Sequence, residues 1–326
     1  MKVACLGNRG LEFEERTKPK PSAEQVLVQV HAAGLNRIDL LTLLAFQKGT
    51  KYGNDMFIGR DFSGTVAEVG PGVKSFKIGD PVMCTGKHTF AQFALADEHL
   101  CSLVPLEAIS MEEAAALPIA LNTVHDALIT WGKLRAGQSV LVQGASSAVG
   151  LMAMQIAKQF DAEIIVGMSR NPARRERLTQ FGANIALDPT NPRWVEAVLE
   201  KTNGKGVDLI IDQVGPPLAN DNMRAAALEG RIINVGRLGG NFGDFDFDLH
   251  ALRRITYIGV TFRTRSLHEV REIKRLRDAG LFAAIKKGFL KLPVDSVFAF
   301  EDLEKAFSHM KHDRHFGKIV VQIKKK

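Results

Sequence analysis

The chain has 326 residues, 45% of them hydrophobic and 24% charged, which excludes a disordered chain and predicts about two domains with a substantial core. Its formal net charge of +7 raises the question of nucleic acid, but the lysines and arginines are spread along the sequence rather than clustered with aromatic residues, which argues against sequence-specific binding. No apolar run approaches the roughly twenty residues of a membrane span.

Met1-Lys2-Val3-Ala4 opens a strand-like segment without a signal-peptide core. Cys5, Cys84 and Cys101 are odd in number, show no metal-ligand spacing and fit reduced thiols. A cytoplasmic protein is expected. The first third of the chain reads as short strands and glycine turns: Val26 to Ala32, Gly64 to Val69, Pro71-Gly72, and Lys77-Ile78-Gly79-Asp80-Pro81-Val82. That texture predicts a compact β domain.

From Ser139 the pattern changes to alternating strands and helices, as in a parallel sheet. Val140 to Val142 is a strand buried on both faces, and Val149, Met152, Ile156 and Phe160 recur at helical spacing after it. Further strands are expected at Glu163 to Met168, Ile185 to Leu187, Val207 to Asp212, Arg231 to Val235 and Tyr257 to Thr261. Helices are expected at Pro172 to Phe181, Arg193 to Lys201 and Pro217 to Leu228. His125 and Asp126 read as helix-surface groups, and Met152, Met154 and Met168 as packing residues. Lys324, Lys325 and Lys326 read as a frayed tail.

Between the first strand and helix of this series lies Gly144-Ala145-Ser146-Ser147-Ala148-Val149-Gly150. Such a turn aims backbone N–H groups and the positive end of a helix at solvent, which suits a pyrophosphate. Ala145 and Ser147 stand where the usual pattern has glycine. The Ser147 hydroxyl either obstructs close approach or donates to a phosphate oxygen. The bland alternative is a strand-turn-helix corner with no ligand.

The end of the next strand, Gly167-Met168-Ser169-Arg170 followed by Arg174 and Arg175, lacks the carboxylate that would bind a ribose 2′-hydroxyl. A hydroxyl and guanidinium groups suit a 2′-phosphate, so NADP(H) is the expected cofactor. The alternative is a solvated basic first turn of a helix.

The stretches Ala33-Gly34-Leu35-Asn36-Arg37-Ile38-Asp39, Gly59-Arg60-Asp61-Phe62-Ser63-Gly64, Phe76-Lys77-Ile78-Gly79-Asp80, Glu113-Ala114-Ala115-Ala116-Leu117-Pro118 and Gly317-Lys318-Ile319-Val320-Val321, with the nucleotide turn, span nearly the whole chain. Together they resemble the medium-chain dehydrogenase/reductase superfamily, and within it the zinc-independent quinone oxidoreductase (zeta-crystallin-like) branch. The resemblance implies an α/β protein: a GroES-like β-rich catalytic domain from residues 1–122 and 263–326, and a Rossmann doubly wound parallel-sheet domain from 123–262. It implies an active site in a cleft, and a homodimer or tetramer in which the strand near Tyr257 to Thr261 pairs across a two-fold axis.

The same resemblance argues against zinc. Asn36, Arg60-Asp61 and Ile119 stand where zinc alcohol dehydrogenases carry ligands, and arginine does not ligate zinc as histidine does. Without a Lewis acid, hydride from the nicotinamide is expected to go to a conjugated acceptor, a quinone or an α,β-unsaturated carbonyl. The implied polar contacts are Asn36, which otherwise hydrogen-bonds a turn, and Tyr52, which otherwise packs. Thr123, Val214, Gly236, Phe262, Arg263 and Lys318 are further implied contacts, although a lysine beside a strand is more often on the surface. Asp39 orients the site, caps a helix or pairs with an arginine. NADPH:quinone reduction leads. Reduction of carbon-carbon double bonds in enones or enoyl thioesters competes, with Arg263 and Arg265 available to carrier phosphates. A catalytically idle nucleic-acid binder is the reading from a different class.

Overall fold

A computed structural model describes residues 1–7, 10–50 and 57–324; Tyr52 lies outside the described residues. The chain divides into two compact units, Met1–Ala120 with Arg263–Lys326, and Leu121–Phe262. The strands, in chain order, are β1 (Lys2–Gly7), β2 (Gly10–Glu15), β3 (Gln25–Gly34), β4 (Asp61–Val69), β5 (Pro81–Thr85), β6 (Phe93–Asp97) and β7 (Cys101–Leu103). The second unit adds β8 (Ser139–Val142), β9 (Ile164–Met168), β10 (Ile185–Leu187), β11 (Val207–Asp212), β12 (Ala226–Asn234) and β13 (Thr256–Gly259), after which β14 (Val294–Ala299) and β15 (Lys318–Gln322) return to the first.

In the first unit β1 and β2 form a hairpin, and a seven-stranded sheet runs β14-β15-β3-β4-β5-β7, with β6 also paired to β3. Val26, Val28, Val30, Phe62, Val66 and Val82 lie in its core, together with Leu303 and Phe307 of the helix Leu303–Lys311. Alternate residues of a strand face one side, so the valine spacing on β3 is what fills that core. Arg37–Gln47 forms a helix whose first turn carries the buried Asp39.

The second unit is a parallel sheet in the order β10-β9-β8-β11-β12-β13. Val140, Leu141 and Val142 of β8 are fully buried, as a central strand covered on both faces requires. The order reverses direction between β8 and β11, and the crevice at such a reversal, beyond the carboxyl ends of the strands, is where open α/β sheets bind ligands. Among the described residues β13 is an edge strand, paired to β12 alone.

Several expectations need correction. The helix expected over Pro217 to Leu228 ends at Ala225, and Ala226–Asn234 is strand. Arg224 to Leu228 consists of helix-favouring residues, but parallel pairing of Ala226 with Val207 and burial of Ala226 override that preference. The helix over Pro172 to Phe181 is α only to Glu176 and continues as a 3₁₀ turn that stops at Gly182, φ 102°. His125 and Asp126 are buried, not on a helix surface. They join the helix Pro118–His125 to a π turn over Asp126–Trp131, and Leu121, Val124, Ala127 and Leu128 around them are buried too, so residues 121–128 have no solvent face; exposure begins only at Thr130 and Trp131. The main chain of Lys324 is tied down, its N–H donating to the His31 carbonyl at 3.3 Å; Lys325 and Lys326 lie outside the described residues.

Candidate functional site

In the second unit β8 delivers the chain into Gln143 and then Gly144, whose φ of +66° is a left-handed turn conformation. The Ala145 N–H donates to the Met168 carbonyl at 2.9 Å, fixing the turn to β9. Ser147 caps the helix Ala148–Gln159, its Oγ accepting from the Gly150 N–H at 3.0 Å. A helix leaves its first N–H groups without partners inside the helix, and the cap takes only that of Gly150, so those of Ala148 and Val149 point out of the helix end. A Cβ on Gly150 would stand 2.5 Å from Ala145 Cα and 2.6 Å from the Gly144 carbonyl oxygen; only glycine lets the helix approach the turn this closely.

The Ser147 hydroxyl, which the sequence left between obstruction and phosphate contact, donates to Gln213 Oε1 at 2.9 Å. Gln213 is the residue that sequence reasoning missed: its Nε2 donates to the carbonyls of Gln143 at 3.0 Å and Gly144 at 3.3 Å. It bridges β8 and β11 across the reversal of strand order and forms the floor beneath the turn. Its position directly before Val214, at the carboxyl end of a strand, was the available signal. Gln213→Leu strips a partner from Ser147 and two carbonyls, and is expected to lower unfolding free energy by about 1–3 kcal/mol in a denaturant titration.

Around this floor the strand ends are tied together. Asp212 Oδ1 accepts from the N–H groups of Val214 at 2.8 Å and Gly215 at 2.9 Å. Burial pushes the Asp212 carboxyl above its usual range against those bonds. Tyr257, half-buried beside it, is pushed up to about 12 by burial and then by the Asp212 charge. Asn234 donates to the Gly236 carbonyl at 3.0 Å and accepts from Arg237. Thr123 is buried in its helix, Phe262 is half-buried at the end of the unit, and Arg263 is exposed.

At the end of β9, Ser169 is buried with its Oγ 3.3 Å from Ser146 Oγ, which joins the 2′-phosphate candidate to the pyrophosphate turn. Arg170 is exposed and Arg174 half-buried. Arg175 is committed elsewhere: its guanidinium donates to the Ser169 carbonyl at 2.7 Å and to Asp188 at 3.0 Å. Asp188, just past β10, also accepts from the hydroxyl and N–H of Thr190, and these bonds, ahead of the Arg175 charge, hold its carboxyl below the usual range. The carboxylate nearest this corner is therefore already engaged.

The first unit holds a separate buried ionic cluster. Lys318 on β15, 3% exposed, donates to Asp61 Oδ2 at 2.7 Å and Asn36 Oδ1 at 2.8 Å. Asn36 Nδ2 donates to Asp61 Oδ2 at 3.1 Å, and the Ile119 N–H donates to Asp61 Oδ1 at 2.9 Å. Lys318 is thus not a surface lysine: Asp61, fully buried on β4, balances its charge. Asp39 accepts from the Asn36 and Gly59 N–H groups and from Arg60 Nη1 at 2.5 Å. Burial nevertheless pushes its carboxyl upward, with Arg60 pulling the other way. Arg60 also lies over the Phe57 ring, 4.3 Å from its centroid. Of the roles open to Asp39, the structure realises both the helix start and the arginine pair.

Zinc requires thiolate, imidazole or carboxylate donors with lone pairs to give. Here Lys318 and Arg60 are cations, and both Asp61 oxygens already accept hydrogen bonds. These residues do not fit a zinc ion, and no group of three His, Cys, Asp or Glu residues able to hold a metal occurs among the described residues. The turn at Gly144–Gly150, by contrast, has the directed N–H groups and the close glycine packing that a dinucleotide needs.

Comparison with known proteins agrees with this geometry. Residues 22–115 match the alcohol dehydrogenase GroES-like domain, and 148–277 match the zinc-binding dehydrogenase family. The chain is 29% identical to a rat quinone oxidoreductase over 309 residues, 93% of this chain and 90% of that protein. It is 31% identical over 320 residues to the low-reducing polyketide synthase drtA of Aspergillus calidoustus, covering 95% of this chain but 13% of the synthase. An alcohol dehydrogenase superfamily protein from Novosphingobium aromaticivorans superposes with a TM-score of 0.88 at 27% identity, covering 99% of this chain and 100% of that one. The chain belongs to the medium-chain dehydrogenase/reductase superfamily, in its quinone oxidoreductase-like branch. It is accordingly an oxidoreductase, built of a GroES-like sheet unit and a parallel-sheet, Rossmann-like unit.

Proposed function

We propose that the protein is an NADPH-dependent quinone oxidoreductase that transfers hydride without a metal. The observation that carries this reading is the Lys318–Asp61–Asn36 cluster, with Arg60 on Asp39, standing where metal-dependent relatives would need ligands. With no Lewis acid to polarise a simple carbonyl, the acceptor must already be electrophilic, and a quinone is the conjugated acceptor named for the rat relative. Bound NADPH supplies the hydride. The residues of the chain bind it, orient it and stabilise negative charge on the acceptor oxygen.

Gly144, Ala145, Ser146, Ser147, Ala148 and Val149 are proposed to hold the pyrophosphate, and Ser169, Arg170 and Arg174 the 2′-phosphate. Thr123, Val214, Gly236, Phe262, Arg263 and Lys318 are proposed as further cofactor contacts. Asn36 and Tyr52 are the proposed catalytic pair. The Asn36 amide is held in one orientation by Lys318 and Asp61, and its second proton has only a 3.4 Å contact to the Gly34 carbonyl, so it is the donor offered to the acceptor oxygen. β13 is an edge strand whose Tyr257 packs on Phe245, itself against the exposed Phe247, which supports a homodimer built on that edge.

The second reading, reduction of an enoyl thioester or enone, is favoured by the match to a polyketide synthase over 95% of this chain and by the arginines at 263 and 265. Initial rates of NADPH oxidation with 9,10-phenanthrenequinone and with crotonyl-coenzyme A separate the two. Quinone turnover supports the first reading, thioester turnover alone the second, and neither would refute conjugated-acceptor reduction. In the same assay Arg170→Ala with Arg174→Ala is expected to raise KM for NADPH at least tenfold while leaving KM for NADH nearly unchanged; equal effects would remove the 2′-phosphate assignment.

A further inference from the structure

Two of the three cysteines, 17 residues apart in sequence, meet in the first unit. Cys84 on β5 and Cys101 on β7 are directly opposite in an antiparallel pair. Their sulfurs lie 3.0 Å apart, only about 1 Å beyond a covalent S–S bond. Both thiols are free and fully buried. Opposed residues of neighbouring strands hold their Cβ atoms about 4.5–5.5 Å apart, close to what a disulfide spans. The two sulfurs therefore need little backbone movement to bond.

The two thiols are not equivalent. Cys101 borders a surface hollow of about 400 Å³, which Cys84 does not line, and whose other walls include His99, His268, Arg271 and Lys274. Cys101 is fully buried behind this wall, so a small oxidant reaches the pair when the wall opens, and it comes from the Cys101 side. The Cys101 thiol donates to the Asp97 carbonyl at 3.2 Å. Cys84 does not border the hollow, and burial pushes its thiol well up. Cys5, on β1 in the separate hairpin, is not opposite either of them.

We propose that Cys84 and Cys101 form an oxidative modification site, closed to an intramolecular disulfide by a hydroperoxide. The Cys101 sulfur attacks a peroxide oxygen; the O–O bond breaks and, with hydrogen peroxide, water leaves, giving a sulfenic acid. The Cys84 sulfur then attacks that sulfur. The S–O bond breaks, the Cys84 proton leaves with the hydroxyl as a second water, and the S–S bond forms. Two thiols lose two electrons and one peroxide gains them. The product ties β7, at the edge of the seven-stranded sheet, covalently to its neighbour β5.

The test is oxidation of the whole protein with hydrogen peroxide, followed by alkylation of remaining thiols in denaturant, intact mass and peptide mapping. Two of the three thiols should be lost, with one cross-linked peptide joining Cys84 to Cys101 that dithiothreitol reopens. In Cys84→Ser the resolving step is gone, and Cys101 should be trapped by dimedone as sulfenic acid; Cys5→Ser should oxidise as the parent does. Retention of all three thiols, a cross-link through Cys5 or between chains, or direct passage of Cys101 to an irreversible acid in the parent protein would overturn the proposal. Mapping of the parent protein decides the matter even if a substituted chain fails to fold.

Discussion

Lys318→Met is expected to lower the unfolding free energy of the first unit by about 3–5 kcal/mol, because it leaves the fully buried Asp61 carboxylate with only neutral donors. The charge has nowhere to go. Asp61 accepts from Ile119 and Asn36 as well as Lys318, and amide donors do not replace an ammonium group in a medium that screens poorly. Asp61→Asn alone should cost a similar amount, since it strands the lysine instead. The double substitution removes both charges, frees the Asn36 amide to turn its oxygen toward the new side-chain amide, and is expected to recover half or more of the loss. A double-mutant cycle in urea measures this directly, and additive losses would mean that the two residues do not act as a pair. The same cycle read by turnover asks a different question. If the single variants hold Asn36 loosely, kcat should fall more than the affinity for cofactor.

Gly150→Ala is expected to weaken NADPH binding tenfold or more and to lower the stability of the nucleotide unit by about 1–3 kcal/mol. The added methyl would meet backbone atoms of Gly144 and Ala145 at 2.5–2.6 Å, and backbone cannot rotate aside as a side chain can. The helix must move away from the turn, carrying with it the N–H groups of Ala148 and Val149 proposed to hold the pyrophosphate. Fluorescence titration with NADPH and denaturant unfolding, run on the same preparation, separate loss of the cradle from loss of the fold. Unchanged affinity would place the dinucleotide elsewhere.

Features set by neighbours in sequence were legible. The valines of β8, the small-residue turn and the helix after it follow from period and residue size, and the absence of a carboxylate after β9 needs no structure to see. Features set by distant partners were not. Ala226 and Ala227 follow a helix and favour its continuation until β11 pairs with Ala226. Nothing near Lys318 indicates burial, because Asp61, which makes burial tolerable, lies 257 residues away. Gln213 looks like any polar residue after a strand until its amide is seen reaching Gln143 and Gly144. Cys84 and Cys101 look scattered because antiparallel register, invisible in a count of cysteines, sets them face to face.

The path of the chain through the first unit also fixes an order of events in folding. The nucleotide unit is one continuous stretch, whereas the sheet of the first unit is completed only when β15 enters beside β3. Lys318 must find Asn36 across 282 residues of chain, a closure whose entropy is spent before any contact repays it. On a ribosome the nucleotide unit can therefore be finished while Asp61 still waits for its cation. Until β15 arrives, the nascent first unit carries an uncompensated acid at its centre and an unpaired edge along Ala32, Ala33 and Gly34 of β3, beyond the part that β6 covers.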